Sequence, residues 1–178
     1  HIPLIPGLQR LSCSDCPLLD GLPRIGGLRS LFCWNCPKIK TIPWEITQSI
    51  SVLYCSDCPG LTDIECNLID NDQEENESDR DRDPVRELLC SNCPLLQELP
   101  WINRGVVELG CSGTQIQRIP GYHGLLKLWT NDCPELTLIP RIPGLQKLVC
   151  SNCPKLTMIP LIPGLQKLVC VGCPLTQI

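Results

Sequence analysis

The chain repeats itself every twenty residues, and that period leaves few folds open to it. Its clearest copies run from Ile139 to Met158 and from Ile159 to Ile178, both built on Ile-Pro-x-Ile-Pro-Gly-Leu-Gln-Lys-Leu-Val-Cys. Eight copies can be laid end to end, beginning at Ile2, Leu22, Ile42, Ile64, Leu99, Ile119, Ile139 and Ile159. A fixed period of this size makes a solenoid, in which each unit packs on its neighbours because one unit cannot bury a core alone. The chain therefore reads as one solenoid domain over residues 1–178.

One unit can be read residue by residue. In Leu145-x-x-Leu148-x-Cys150, Leu148 and Cys150 alternate with Lys147 and Val149, the period of a half-buried strand. Cys153-Pro154 ends that strand, because Pro cannot donate to a ladder. Leu156 should return to the core. Ile159-Pro160 and Ile162-Pro163-Gly164 then fix φ and remove donors, so this half should run extended or as polyproline II. The expectation is a mainly β solenoid with a parallel concave sheet, an extended convex side, and few or no α-helices.

These residues carry a resemblance. Leu-x-x-Leu-x-Cys-x-x-Cys-Pro-x-Leu resembles the leucine-rich repeat signature, in the variant with Cys at the usual Asn position. The Ile-Pro-x-Ile-Pro half is similar to the short repeats of bacterial effector proteins. The Cys-Pro wording is similar to repeat proteins of large DNA viruses. The leucine-rich likeness covers essentially the whole chain, and it implies a curved solenoid with partner binding on the concave sheet. Bacterial effectors of this kind add a catalytic ubiquitin-ligase domain after the repeats, to which nothing here corresponds. The chain opens at His1 without Met, so a missing N-terminal segment is expected, and it ends at Ile178 without a capping element, as a fragment or a part of an assembly would.

Charge is segregated. Residues 63–87 hold 11 of the 19 acids and three bases, Arg80, Arg82 and Arg86, while the rest carries 12 bases against 8 acids. A mildly basic solenoid thus carries an acidic insertion at 66–84, within the fourth repeat. The basic excess is too small for a nucleic-acid binder. Within the insertion, Asp70-Asn-Asp72-Gln-Glu74 superficially suggests a Ca²⁺ loop, but it lacks the turn glycine and flanking helices of an EF-hand. A solvated acidic loop is the expectation. With no run of 18 apolar residues, no membrane-spanning helix is expected.

Six Cys-x-x-Cys pairs look at first like metal ligands, and Cys13, Cys16, Cys33 and Cys36 fit a zinc-ribbon spacing. The repeat argues otherwise. The first column reads Cys13, Cys33, Cys55, Cys90, Cys111, Thr130, Cys150, Cys170, and the second Cys16, Cys36, Cys58, Cys93, Thr114, Cys133, Cys153, Cys173. A ligand set does not lose members singly, whereas a small buried side chain can be exchanged for Thr. The first column therefore reads as core and the second as lining the turn, with no metal or other cofactor. Parallel Cβ vectors suit stacking better than the disulfide dihedral. Fifteen thiols point to a reducing intracellular compartment, the host cytoplasm for a viral or effector protein.

Strand positions outside the Leu and Cys rows should face solvent on the concave side. One row reads Ser12, Phe32, Tyr54, Leu89, Gly110, Trp129, Val149, Val169; the row two residues earlier reads Arg10, Ser30, Val52, Glu87, Glu108, Lys127, Lys147, Lys167. Trp34, just after its strand, should face the same way. Phe32, Trp34, Tyr54 and Trp129, with the cations Arg10, Lys127, Lys147 and Lys167, are the candidate partner-binding residues. Trp44 and Trp101 fall on the opposite edge, either side of the insertion. No catalytic set is apparent: the two histidines, His1 and His123, stand at the terminus and in a Gly-rich turn. Two functions are expected to compete: concave-face protein recognition, as the arm of an effector or ubiquitin-ligase-type protein, and a structural part of a larger assembly or viral particle, including self-association through its ends.

Overall fold

The computed structural model describes residues 2–66, 85–102 and 105–176. The acidic stretch 67–84 lies outside the described residues. In chain order the strands are β1 (Arg10–Ser12), β2 (Ser30–Phe32), β3 (Thr41–Ile42), β4 (Val52–Tyr54), β5 (Asp63–Ile64), β6 (Val85–Leu89), β7 (Val106–Gly110), β8 (Lys127–Trp129), β9 (Lys147–Val149) and β10 (Lys167–Val169). Eight of them form one parallel sheet in the order β1-β2-β4-β6-β7-β8-β9-β10. Each repeat adds one strand beside the last, and the sequence insertion does not disturb this order. The fold is a mainly β solenoid of about seven turns.

The register follows the repeat. Leu11, Leu31, Leu53, Leu88, Leu109, Leu128, Leu148 and Leu168 are successive partners across the sheet. From Leu31 to Leu148 this row is buried, as are the rows of Ile39, Leu61, Leu96, Ile116, Leu136 and Leu156 on the return path. The core is thus a stack of apolar rows, each closed by the repeat on either side. In the first and last repeats these rows are more open; Leu168 is 37% exposed where Leu148 is fully buried.

The Pro-rich half runs largely extended, and it closes with a turn. In Ile142-Pro143-Gly144-Leu145, Gly144 takes φ 86 and the Leu145 N–H donates to the Ile142 oxygen at 3.3 Å. Pro at the second position and a positive-φ Gly at the third are the chemistry of a type II turn. Ile162-Pro163-Gly164-Leu165 repeats it, with Gly164 at φ 88. On the return path β3 and β5 pair in parallel as a separate two-stranded sheet.

One repeat departs from the extended form. Trp44–Thr47 makes a single helical turn, α1, with Ile46 and Thr47 buried. This repeat has no Ile-Pro-Gly and carries two extra residues before the next copy begins at Ile64. Without the Gly that closes this half in most other repeats, a helical turn after Pro43 takes up the added length, and its Trp44 N–H donates to the Glu65 carboxylate at 3.1 Å. Among the described residues no helix is long and apolar enough to cross a membrane.

Candidate functional site on the eight-stranded sheet

Successive repeats place the two outward rows in register. Ser30, Val52, Glu87, Glu108, Lys127, Lys147 and Lys167 are partners along one row; Phe32, Tyr54, Leu89, Gly110, Trp129, Val149 and Val169 are partners along the other. Strand alternation dictates this, since neighbours of a buried Leu must point away from the core. The residues singled out from the sequence fall into two groups.

At the first group, Phe32 and Tyr54 meet edge to face with ring centroids 5.1 Å apart. The Arg10 guanidinium lies 4.9 Å from the Phe32 centroid. The Tyr54 hydroxyl donates to the Glu87 carboxylate, and that bond, together with partial burial, pushes the phenol up to about 12. The ring pair is therefore held from both sides, by a cation at Phe32 and a carboxylate at Tyr54. Held aromatic side chains lose little entropy when a partner covers them.

The second group lies across β7 to β10. The Lys127 ammonium meets Glu108 at 2.6 Å, and the Lys147 ammonium sits 4.8 Å from the centroid of Trp129. Lys167 is exposed on β10. Arg10 does not join these lysines, because it stands on β1 at the other edge of the sheet.

Trp34 lies beyond the end of β2, and its setting is unlike that of its equivalents. The residue after each first-column cysteine reads Ser14, Trp34, Ser56, Ser91, Ser112, Asn131, Ser151, Val171. From Ser56 onward this column is a hydrogen-bond ladder. The Ser56 hydroxyl accepts from the Ser91 N–H at 3.1 Å, Ser91 from Ser112 at 3.2 Å, and Ser112 from Asn131 at 3.0 Å. The Asn131 side-chain oxygen accepts from the Ser151 N–H at 2.9 Å, and Ser151 from Val171 at 3.2 Å. An indole has no acceptor to offer. At Trp34 the ladder stops, the Ser14 hydroxyl is buried without a partner, and the Trp34 ring is 42% exposed.

The next column was not singled out from the sequence, although its composition could have revealed it. Asp15, Asn35, Asp57, Asn92, Asp132 and Asn152 all take φ between 54 and 57, and Gly113 and Gly172 complete the set at φ 67 and 70. Only Asn, Asp and Gly enter this left-handed conformation readily. The acids alternate with amides: Asn35 donates to Asp15 at 2.7 Å, Asn92 to Asp57 at 2.9 Å, and Asn152 to Asp132 at 2.9 Å. Alternation replaces carboxylate repulsion with a charge-assisted bond at each pair. Asn35, Asp57, Asn92 and Gly113, with Pro59 and Pro94, line a shallow depression of about 500 Å³ beside the strand ends.

The cysteine columns have distinct roles. First-column Cys33, Cys55, Cys90 and Cys111 are fully buried, and burial drives their thiols well above the usual range. Second-column thiols, expected to line the turn, point back one repeat as donors. Cys36 donates to the Cys13 oxygen at 3.1 Å, Cys58 to Cys33 at 3.1 Å, Cys93 to Cys55 at 3.2 Å, and Cys153 to Thr130 at 2.9 Å. Each serves the carbonyl just past the strand. On the opposite edge Trp101 is 57% exposed, while Trp44 opens α1 half-buried.

Comparison of the chain with protein-family models, with curated proteins and with solved structures finds no match.

Proposed function

We propose that the chain is a recognition module whose concave sheet face binds another protein, as its leucine-rich resemblance implies. Phe32, Tyr54 and Trp34 are the anchors, and the cations tune encounter. The observation that carries this reading is Trp34. A serine there would continue the ladder, as five neighbouring repeats show with Ser or Asn. A tryptophan offers the Ser56 N–H no such acceptor, so the ladder stops there, and it exposes a large ring near the Phe32–Tyr54 pair in sequence. Local rules broken at structural cost mark functional positions, and exposed Trp and Tyr dominate binding energy at protein interfaces.

The reading is of a binding module, not an enzyme; in a larger effector or ubiquitin-ligase-type protein it would be the arm that selects the target. Fifteen unpaired thiols, most of them packed as core, fit a reducing intracellular compartment. The test is affinity capture with the intact gene product, identification of the captured protein, and binding of the Phe32/Trp34/Tyr54→Ala variant. Loss of at least about 30-fold is expected, as for a hot spot. Full affinity in a folded variant would move the site off this face.

A further inference from the structure

The β8–β10 half of the outward sheet face differs in chemistry from the aromatic half. Register stacks Lys127, Lys147 and Lys167 as direct neighbours on three successive strands. Parallel strands lie about 4.8 Å apart, and like charges so placed destabilise a sheet. Glu108 answers Lys127 alone, at 2.6 Å, and Lys147 leans over Trp129. The fold accepts Glu in this row, as Glu87 and Glu108 show three and two strands before Lys147. Alternating signs were thus open to it, yet three cations stand together. Beside them runs an apolar row, Trp129, Val149 and Val169, all half-exposed.

Resting on the reading that this face binds protein, we propose that β8–β10 receives an acidic amphipathic helix of the partner, laid along the solenoid axis. Its carboxylates would meet Lys127, Lys147 and Lys167, and an adjacent apolar stripe would cover Trp129, Val149 and Val169. Spacing selects the helix. Three stacked lysines span about 10 Å along the axis. Carboxylates at i, i+4 and i+7 of a helix span about 10.5 Å. Three same-face residues of an extended strand span about 13 Å, a poorer match. Charge complementarity would speed encounter and make it salt-sensitive, while the apolar stripe supplies the hold.

The probe is a fluorescein-labelled peptide of about five helical turns, with a Glu stripe at helical spacing beside a Leu stripe, titrated with the full chain by fluorescence anisotropy. Binding that weakens with salt is expected, falling about tenfold for Lys147→Gln/Lys167→Gln and less than about twofold for the exposed control pair Lys38→Gln/Lys40→Gln. No binding, equal binding of the Lys-for-Glu peptide or of a stripe-scrambled peptide, or equal weakening by the control pair would overturn the proposal. So would a single-stranded oligonucleotide that outcompetes the peptide. Failure of the peptide with loss of a captured partner on Phe32→Ala would sink this inference alone and leave the recognition reading standing.

Discussion

Thr114 and Cys133 share one acceptor, the Cys111 carbonyl oxygen, at 2.7 and 3.3 Å. Thr114 reaches it from within its own repeat, Cys133 from the repeat after. The second column is therefore a donor position that a thiol or a hydroxyl can fill, whereas the first column is apolar. Cys55 and Cys93 separate the two roles. Cys93→Ser keeps a donor for the Cys55 oxygen and should cost less than about 1 kcal/mol, while Cys55→Ser buries a hydroxyl and should cost about 1–3 kcal/mol. Urea unfolding of the two variants checks the order; equal costs would mean the columns are equivalent.

Thr130 is the natural counterpart of that experiment. It occupies the first column, and its hydroxyl is buried without a hydrogen-bond partner. Thr130→Val keeps the shape and removes the stranded group, so stability should rise by about 1 kcal/mol. A higher urea midpoint at unchanged slope is the expected result.

The buried thiols also set a pH dependence. Burial raises Cys13 and Cys93 from 9.0 to about 12, and Cys33, Cys55, Cys90 and Cys111 rise well above 9.0. Below pH 9 both folded and unfolded chains hold these protons. Above it the unfolded chain releases them first, so it binds fewer protons and stability falls as pH rises. The thermal midpoint should hold steady up to about pH 9 and drop steeply beyond it. In native alkylation the half-exposed Cys16, Cys66, Cys170 and Cys173 should react before the buried columns.

Register can be tested at two adjacent residues. Leu148 is fully buried between β8 and β10, and Lys147 lies on the opposite face over Trp129. Leu148→Ala should cost about 2–5 kcal/mol by cavity formation. Lys147→Ala should cost no more than about 1 kcal/mol, the scale of an exposed cation–π contact.

The strand rows could be read from sequence because a twenty-residue period and strand alternation together fix which side chains share a face. Leu148, Lys147 and Val149 fall in the structure where that reading puts them. What escaped it depends on the neighbouring repeat and not on the residue itself. The Cys93 thiol has its acceptor one repeat earlier, and the Ser91 hydroxyl finds its donor one repeat later. The basic row is likewise less free than its composition suggests, because Glu108 stands one strand from Lys127. The α1 turn was hidden by the rule of the clearest repeats, which carry Pro and Gly where this one has Glu45-Ile46-Thr47. The Asp/Asn/Gly column, by contrast, was open to view: only left-handed backbone explains that restricted set.

Trp34→Ser measures the central claim most directly, because fold and function should respond with opposite signs. Serine restores the acceptor that its column supplies in neighbouring repeats, and it removes an exposed ring. The thermal midpoint should be held or raised, while affinity for the captured partner falls at least about tenfold, as for an interface tryptophan. A lower midpoint with unchanged affinity would make Trp34 a structural residue and would contradict recognition through this face.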